Sequence, residues 1–120
     1  YACRAGTSTV YSWGDDINAT HANCGSSGLS HTSDAGNYAA NPWGFFDMHG
    51  NVWEWTADRY GTYSSGAQTD PTGPASGSIR VIRGGSWDFP GTDLRSAYRN
   101  YDTPSNRFHT IGFRVGFKQQ

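Results

Sequence analysis

Charge is scarce in this chain. Only 16% of its 120 residues are Asp, Glu, Lys or Arg, the formal net charge is −1, and no basic or acidic run occurs. That balance excludes the electrostatic footprint of a nucleic-acid binder or of a protein held to an anionic membrane. No apolar stretch approaches the roughly 18 residues of a membrane-spanning helix, so membrane insertion is not expected. Methionine does not begin the chain and no signal peptide is visible. Helical periodicity is weak throughout, and no internal repeat appears. Cysteine is limited to Cys3 and Cys24. An even count permits a disulfide, two small buried thiols are the other reading, and spacing alone decides neither.

Aromatic residues and glycine are abundant instead. Five Trp, seven Tyr and six Phe accompany 16 Gly. Disordered chains are depleted in large rings, so this composition points to a turn-rich domain whose few rings supply most of the core. A single domain spanning 1–120 suits the length. The class expected is α+β with little regular structure and a small antiparallel sheet. Tyr1 to Gly6 reads as the end of a helix stopped by glycine. Residues 17–38 are rich in Ser, Asn, Gly, His and Thr and read as a long loop. Either a bound ion or tight side-chain hydrogen bonding must hold a loop of that length. Residues 44–55 read as a core turn and 57–78 as a second loop, with Asp70, Pro71, Thr72, Gly73 and Pro74 as its rigid corner. Strands are expected at 79–82, at 96–98, and at 111–117, where Ile, Phe, Val and Phe alternate with Gly and Arg.

The stretch Gly50-Asn51-Val52-Trp53-Glu54-Trp55 is the most informative. Asp47 and Glu54 bracket a glycine-containing turn whose carbonyls can point inward, the oxygen mixture that hard cations such as calcium favour. Asn51 is expected to fix the turn with its side chain. The alternative is that both carboxylates pair with arginines or cap backbone N–H groups.

These residues, with Arg80-Val81-Ile82-Arg83-Gly84-Gly85-Ser86-Trp87, Arg95 to Arg99, Ile111-Gly112-Phe113-Arg114-Val115, Tyr1 to Thr7 and Tyr11 to Asp16, resemble the formylglycine-generating-enzyme family, also called the sulfatase-modifying-factor domain. The resemblance covers nearly the whole chain and implies a C-type-lectin-like fold. Family members carry further N-terminal elements, so the chain is expected to be an N-terminally truncated portion whose bare sheet edge could pair with another copy. The resemblance also implies a structural calcium held by the side chains of Asp47 and Glu54 and the carbonyls of Gly50 and Val52. A second family ion site would use Asn23 and the Cys24 carbonyl, but Ser27 stands where the family has an aspartate.

Family enzymes bind copper(I) through two cysteines downstream of the Gly-Gly-Ser block, ligands that suit that soft ion. Residues 84–94 hold none: Phe89 stands at the first position and Leu94 near the second. Formylglycine generation is therefore not expected. His21, His31, His49 and His109 fit no usual metal spacing and are expected at the surface. Ser86 has no identifiable base nearby and is expected to hydrogen-bond in its turn.

Framework blocks of the C-terminal half alternate with chemically mixed positions. Trp87, Asp88, Phe89, Asp93, Tyr98, Asn100, Tyr101, Asp102, Phe108 and His109 make a set that resembles an antibody paratope, with rigid rings for area and small polar groups for adaptable bonds. The layout is similar to that of variable proteins of diversity-generating retroelements, lectin-fold relatives found in phages, bacteria and archaea. It implies a non-catalytic module binding a protein or glycan, from a prokaryotic or phage source and in some cases displayed at a surface. The alternative is an oxygen-dependent enzyme using another metal, such as histidine-bound iron. Framework residues Trp87, Leu94, Ile111 and Phe113 are expected to face the core, leaving Phe89, Tyr98, Tyr101, Phe108 and His109 together on one exposed face. Arg83, Arg95, Arg99, Arg107 and Arg114 are expected to bond loop carbonyls and carboxylates such as Glu54 or Asp58, with a phosphate or sulfate site as the alternative. Asn18-Ala19-Thr20 is a glycosylation sequon.

Overall fold

A computed structural model describes residues 1–69 and 71–116. Among the described residues, four short strands carry the fold: β1 (Trp53–Arg59), β2 (Arg80–Arg83), β3 (Asn100–Asp102) and β4 (Ile111–Gly112). Their order across the sheet is β3-β2-β1-β4. β1 and β2 are antiparallel, with Trp55 opposite Ile82 and a bulge before Arg59 opposite Arg80. β2 and β3 are also antiparallel, with Val81 opposite Tyr101. β4 runs parallel to β1, with Trp53 beside Ile111, so the expected antiparallel sheet is in fact mixed. β3 runs in the same direction as β1, and the residues after it cross from one sheet edge to the other, so that β4 enters in that direction too. Helical structure among the described residues is limited to two 3-10 turns, Gly25–Ser27 and Gly91–Leu94. None is long and apolar enough to cross a membrane.

The strands follow β-forming residues, with three departures from expectation. The 44–55 turn ends at Val52, because Trp53, Glu54 and Trp55 already belong to β1, which runs on through Ala57 to Arg59. Residues 96–98 form a turn in which the Tyr98 N–H donates to the Arg95 carbonyl, and the strand begins only at Asn100. The last strand stops at Gly112, and Phe113 is 76% exposed rather than in the core. Phe117 lies outside the described residues. At the other end, the Ala5 N–H donates to the Tyr1 carbonyl in a single helical turn, and Gly6 follows at φ +86°.

Burial is concentrated in two places. Trp53, Val81 and Ile82 are buried on the sheet. Tyr11, Ala22, Cys24 and Leu94 form a second cluster among the loops, flanked by Val10, Trp13 and Ile17. Trp13 stacks on Tyr11 at 5.2 Å between ring centres and on His21 at 5.0 Å. Cys3 and Cys24 are both free thiols.

Side-chain hydrogen bonds hold the long 17–38 loop. Asn51, at φ +67°, is their centre. Its N–H donates to the Asn23 carbonyl at 2.9 Å and its carbonyl accepts the Trp87 N–H at 3.0 Å. Its Oδ1 accepts the Ser33 N–H at 2.9 Å, and its Nδ2 donates back to the Ser33 carbonyl at 3.2 Å. Asn23 extends the net, with Nδ2 donating to the His31 carbonyl and Oδ1 accepting from Ser27 Oγ. The neighbouring Gly50 sits at φ +83°, and a Cβ there would collide with the Asn23 carbonyl.

Gly50→Ala should therefore destabilise the domain by more than the roughly 1 kcal/mol expected for a left-handed glycine alone. Gly28→Ala, at φ +76° but facing open space, supplies that reference. Urea denaturation of the two variants should separate them, and equal losses would contradict this account of Gly50.

Candidate functional site

Three groupings emerge among the residues singled out in the sequence. The first surrounds Trp53. Phe89 meets its ring edge-on at 5.3 Å and Tyr98 lies at 6.0 Å, so both are half-buried rather than free at the surface. Burial, and after it the Asp93 carboxylate, pushes the Tyr98 phenol above its usual pKa. The Phe89 carbonyl also accepts the Gly25 N–H at 2.8 Å. Asp88 is exposed and accepts a hydrogen bond from Ser86 Oγ at 2.7 Å, so that buried serine has the turn-holding role expected of it.

The second grouping lies under the β3–β4 loop. As it crosses the sheet, this loop closes a cavity of about 870 Å³ over β1 and β4. Trp55, Phe108, His109 and Ile111 are among its walls, and Arg80, Asn106 and Arg107 supply polar lining. Phe108 is 51% exposed. His109 leans on Trp87, with 5.5 Å between ring centres. The loop is braced at its start, where Asp102 Oδ1 accepts from the Thr103 N–H and from Asn106 Nδ2. At its end the Thr110 carbonyl accepts the Trp53 N–H.

The third grouping is β3 itself. Tyr101 packs on Tyr60 with 4.1 Å between ring centres and the planes tilted by 36°, and Asn100 Oδ1 accepts the Tyr101 N–H. Directly paired residues share a face and neighbours alternate. Tyr101 therefore shares the Val81 face, opposite Arg80 and Asp102, whereas Arg80 lines the cavity of Phe108 and His109. The five rings expected on one surface are divided: Phe89 and Tyr98 rest on the buried Trp53, and Tyr101 faces away from Phe108 and His109. The two-residue alternation across β2 and β3 is what separates them. Sequence reasoning missed Trp55 and Arg80 as cavity residues, having read Trp55 only as part of the core turn and Arg80 only as part of a motif block. The alternation of Trp53 and Trp55 across Glu54 was the available signal.

At the 47–54 turn, Glu54 receives both Nε and Nη2 of Arg114, at 3.0 and 2.7 Å. The same Nη2 donates to the Asp47 carbonyl at 3.2 Å, so the Asp47 carbonyl and the Glu54 carboxylate converge on the Arg114 guanidinium. The Glu54 contact raises the Arg114 pKa. The Asp47 carboxylate accepts the Gly36 N–H at 2.7 Å. Outside the strand ladders, no hydrogen bond to the Gly50 or Val52 carbonyl occurs among the described residues. Asn23 and Ser27 bond to each other within the loop. The other arginines bond carbonyls as expected: Arg95 to Thr92, Arg107 to Pro104 and Asn106, Arg83 to Ala97 and Tyr98, and Arg99 to Gly61.

His49 departs from the expected surface position and is only 5% exposed. Its Nδ1 donates to the Leu94 carbonyl at 2.6 Å, while Nε2 accepts the Ser12 N–H at 3.2 Å and lies 3.5 Å from Cys3 Sγ. Burial lowers the His49 pKa and raises that of the Cys3 thiol, so the pair stays neutral.

A turn-rich scaffold with a small mixed sheet, crossed by one loop over a cavity, matches known proteins over almost its whole length. The description "Sulfatase-modifying factor enzyme 1-like domain" matches residues 1–118, and the chain belongs to that family. It is 42% identical over 117 residues to the serine/threonine-protein kinase pkn1 of Chlamydia caviae, covering 94% of this chain and 18% of that protein. It is 32% identical over 133 residues to the formylglycine-generating enzyme of Streptomyces coelicolor, covering 95% of this chain and 42% of the enzyme. Among solved structures, Treponema denticola variable protein 1 superposes with a TM-score of 0.85 at 34% identity, over 94% of this chain and 42% of that one. The chain thus spans less than half the length of each of these proteins. The scaffold is formylglycine-generating-enzyme-like with a variable-protein layout, and the bacterial relatives support a prokaryotic source.

The buried imidazole has a measurable consequence. The unfolded chain takes up a proton on His49 near the ordinary value of 6.5, whereas the folded chain does so only at lower pH. Its stabilising contribution is complete above pH 6.5 and declines as pH falls from there toward the lowered folded value. Urea denaturation between pH 7.5 and 4.5 should show that decline, and His49→Gln should flatten it relative to the parent. Parallel slopes in the two proteins would refute this role.

Proposed function

We propose that this domain is a non-catalytic ligand-binding module that takes a protein or glycan ligand at the cavity under the β3–β4 loop. The observation carrying the reading is that cavity, whose size and mostly apolar walls with a few polar groups suit a ligand segment. The identity of residues 84–94 adds support. Phe89 and Leu94 stand where the resembled enzymes carry thiolates; Phe89 packs on Trp53 and Leu94 is wholly buried. The two thiols present lie elsewhere, Cys3 beside His49 and Cys24 in the loop core. The likeness to a variable protein supports assigning ligand choice to the exposed residues of the loop. Sequencing the source DNA tests the retroelement form of this reading, through an adjacent reverse transcriptase gene and a near-copy of the 3′ end.

The 47–54 turn is proposed to hold a structural calcium. Its donor set is all oxygen, the Gly50 and Val52 carbonyls lack donors outside the ladders, and the Asp47 carboxylate, which accepts the Gly36 N–H, keeps lone pairs to offer an ion. Arg114 already binds Glu54 in a two-point contact, yet a carboxylate offers about four lone-pair sites, so the ion would share Glu54 with Arg114. When bound, calcium would supply charge neutralisation and loop order.

Chelator should lower the melting temperature by roughly 5 °C or more if the site is near saturation. Glu54→Ala should abolish that response, while Arg114→Met, which removes only the ion pair, should keep it. A melting temperature indifferent to chelator would sink the calcium proposal.

Replacing Phe108 and His109 together by alanine should remove ligand capture on glycan and surface-protein arrays while moving the melting temperature by only a few degrees. The purified protein should leave a cysteine-containing sulfatase peptide unconverted. Conversion of that peptide, or capture unaffected by the double variant, would overturn the binding-module reading.

A further inference from the structure

Arg83 and Arg99 take no part in the cavity under the β3–β4 loop. They line a second cavity of about 920 Å³, together with Val81, Asp58, Arg59 and Tyr63. Arg99 lies over two rings, with its guanidinium carbon 4.7 Å from the centre of Tyr60 and 3.7 Å from that of Tyr63. Its Nη2 donates to the Gly61 carbonyl at 2.5 Å, and most of its remaining N–H donors are uncommitted among the described residues. Arg83 Nη1 donates to the Tyr98 carbonyl at 2.7 Å, the peptide leading directly into Arg99. That bond ties the two guanidinium groups to one short segment.

Neither group meets a carboxylate among the described residues, where the ion pair seen is Arg114–Glu54. Three arginines therefore stand against one aspartate in the described lining. Half-buried guanidinium groups held in place by carbonyls and rings are pre-organised donors, and the fork geometry of arginine suits multidentate anions. One fork satisfies a planar carboxylate. Two forks on one segment match the several oxygens of a tetrahedral anion better.

We propose that this second cavity binds a sulfate or phosphate ester group carried on a ligand, with Arg83 and Arg99 as its recognition pair and Arg59 adding positive charge. The proposal stands apart from the binding role of the β3–β4 cavity, and either can fail without the other.

The test is calorimetric and NMR titration of the purified domain with sodium sulfate, sodium phosphate and sodium acetate, at ionic strength held constant with chloride. Saturable binding of sulfate or phosphate, stronger than acetate, is expected, and the tighter of the two names the ester. Arg83→Gln and Arg99→Gln should each weaken it about tenfold. The Phe108→Ala/His109→Ala variant should leave it unchanged. Should Arg99→Gln fail to fold, Arg83→Gln decides, because among the described residues the guanidinium groups lying over rings are those of Arg95 and Arg99. Responses no larger than those to matched chloride, or binding that survives Arg83→Gln, would overturn the proposal.

Discussion

Everything in this domain depends on the backbone and side chain of Asn51. Its peptide group joins the Asn23 carbonyl on one side to the Trp87 N–H on the other, and its side chain closes a reciprocal pair with Ser33. Three distant loops are fastened at one residue in a left-handed conformation. The four short strands among the described residues supply few ladder hydrogen bonds. Buried backbone groups nevertheless require partners. Satisfying them through asparagine side chains is how a long loop becomes a fixed structural element.

The packing follows the same economy. Trp53 is buried at the start of β1 and takes Phe89 and Tyr98 on its ring, while Trp13 joins Tyr11, His21 and His49 among the loops. Two small aromatic clusters replace one continuous aliphatic core. Large rings bury much area per residue at little conformational cost, which suits a chain poor in regular elements. Close packing also accounts for some of the glycine. At Gly85, a Cβ would run into Leu94, so the chain must give up side chains where large neighbours press on backbone.

The family, the low regular content and the strand at Val81–Ile82 were legible in the sequence, because they rest on motifs and on β-branched residues. The roles of Asn51 and of Ser86 were legible too, since short polar side chains in glycine-rich turns have few other tasks. The parallel placement of β4 was not, because Ile111 and Gly112 look the same in either direction and only the path of the preceding loop decides. His49 was placed at the surface because its spacing from the other histidines fits no metal site; its burial depends on carbonyl and amide partners at Leu94 and Ser12 that are far away in sequence. Phe113 was misjudged from alternation that ends at Gly112. The division of the candidate rings between faces depends on register, which composition does not encode.

The loop between β3 and β4 is held at its ends and largely free along its length. Asp102 and Asn106 fix its departure and Thr110 its return, whereas Pro104, Ser105, Arg107, Phe108 and His109 are exposed. Among the described residues, none of those five side chains hydrogen-bonds to the Asn51 net, which only His109 adjoins, through its contact with Trp87. Such a loop is evolvable: selection can explore its chemistry at little cost in foldability, since the residues that specify the architecture and those free to change are different residues.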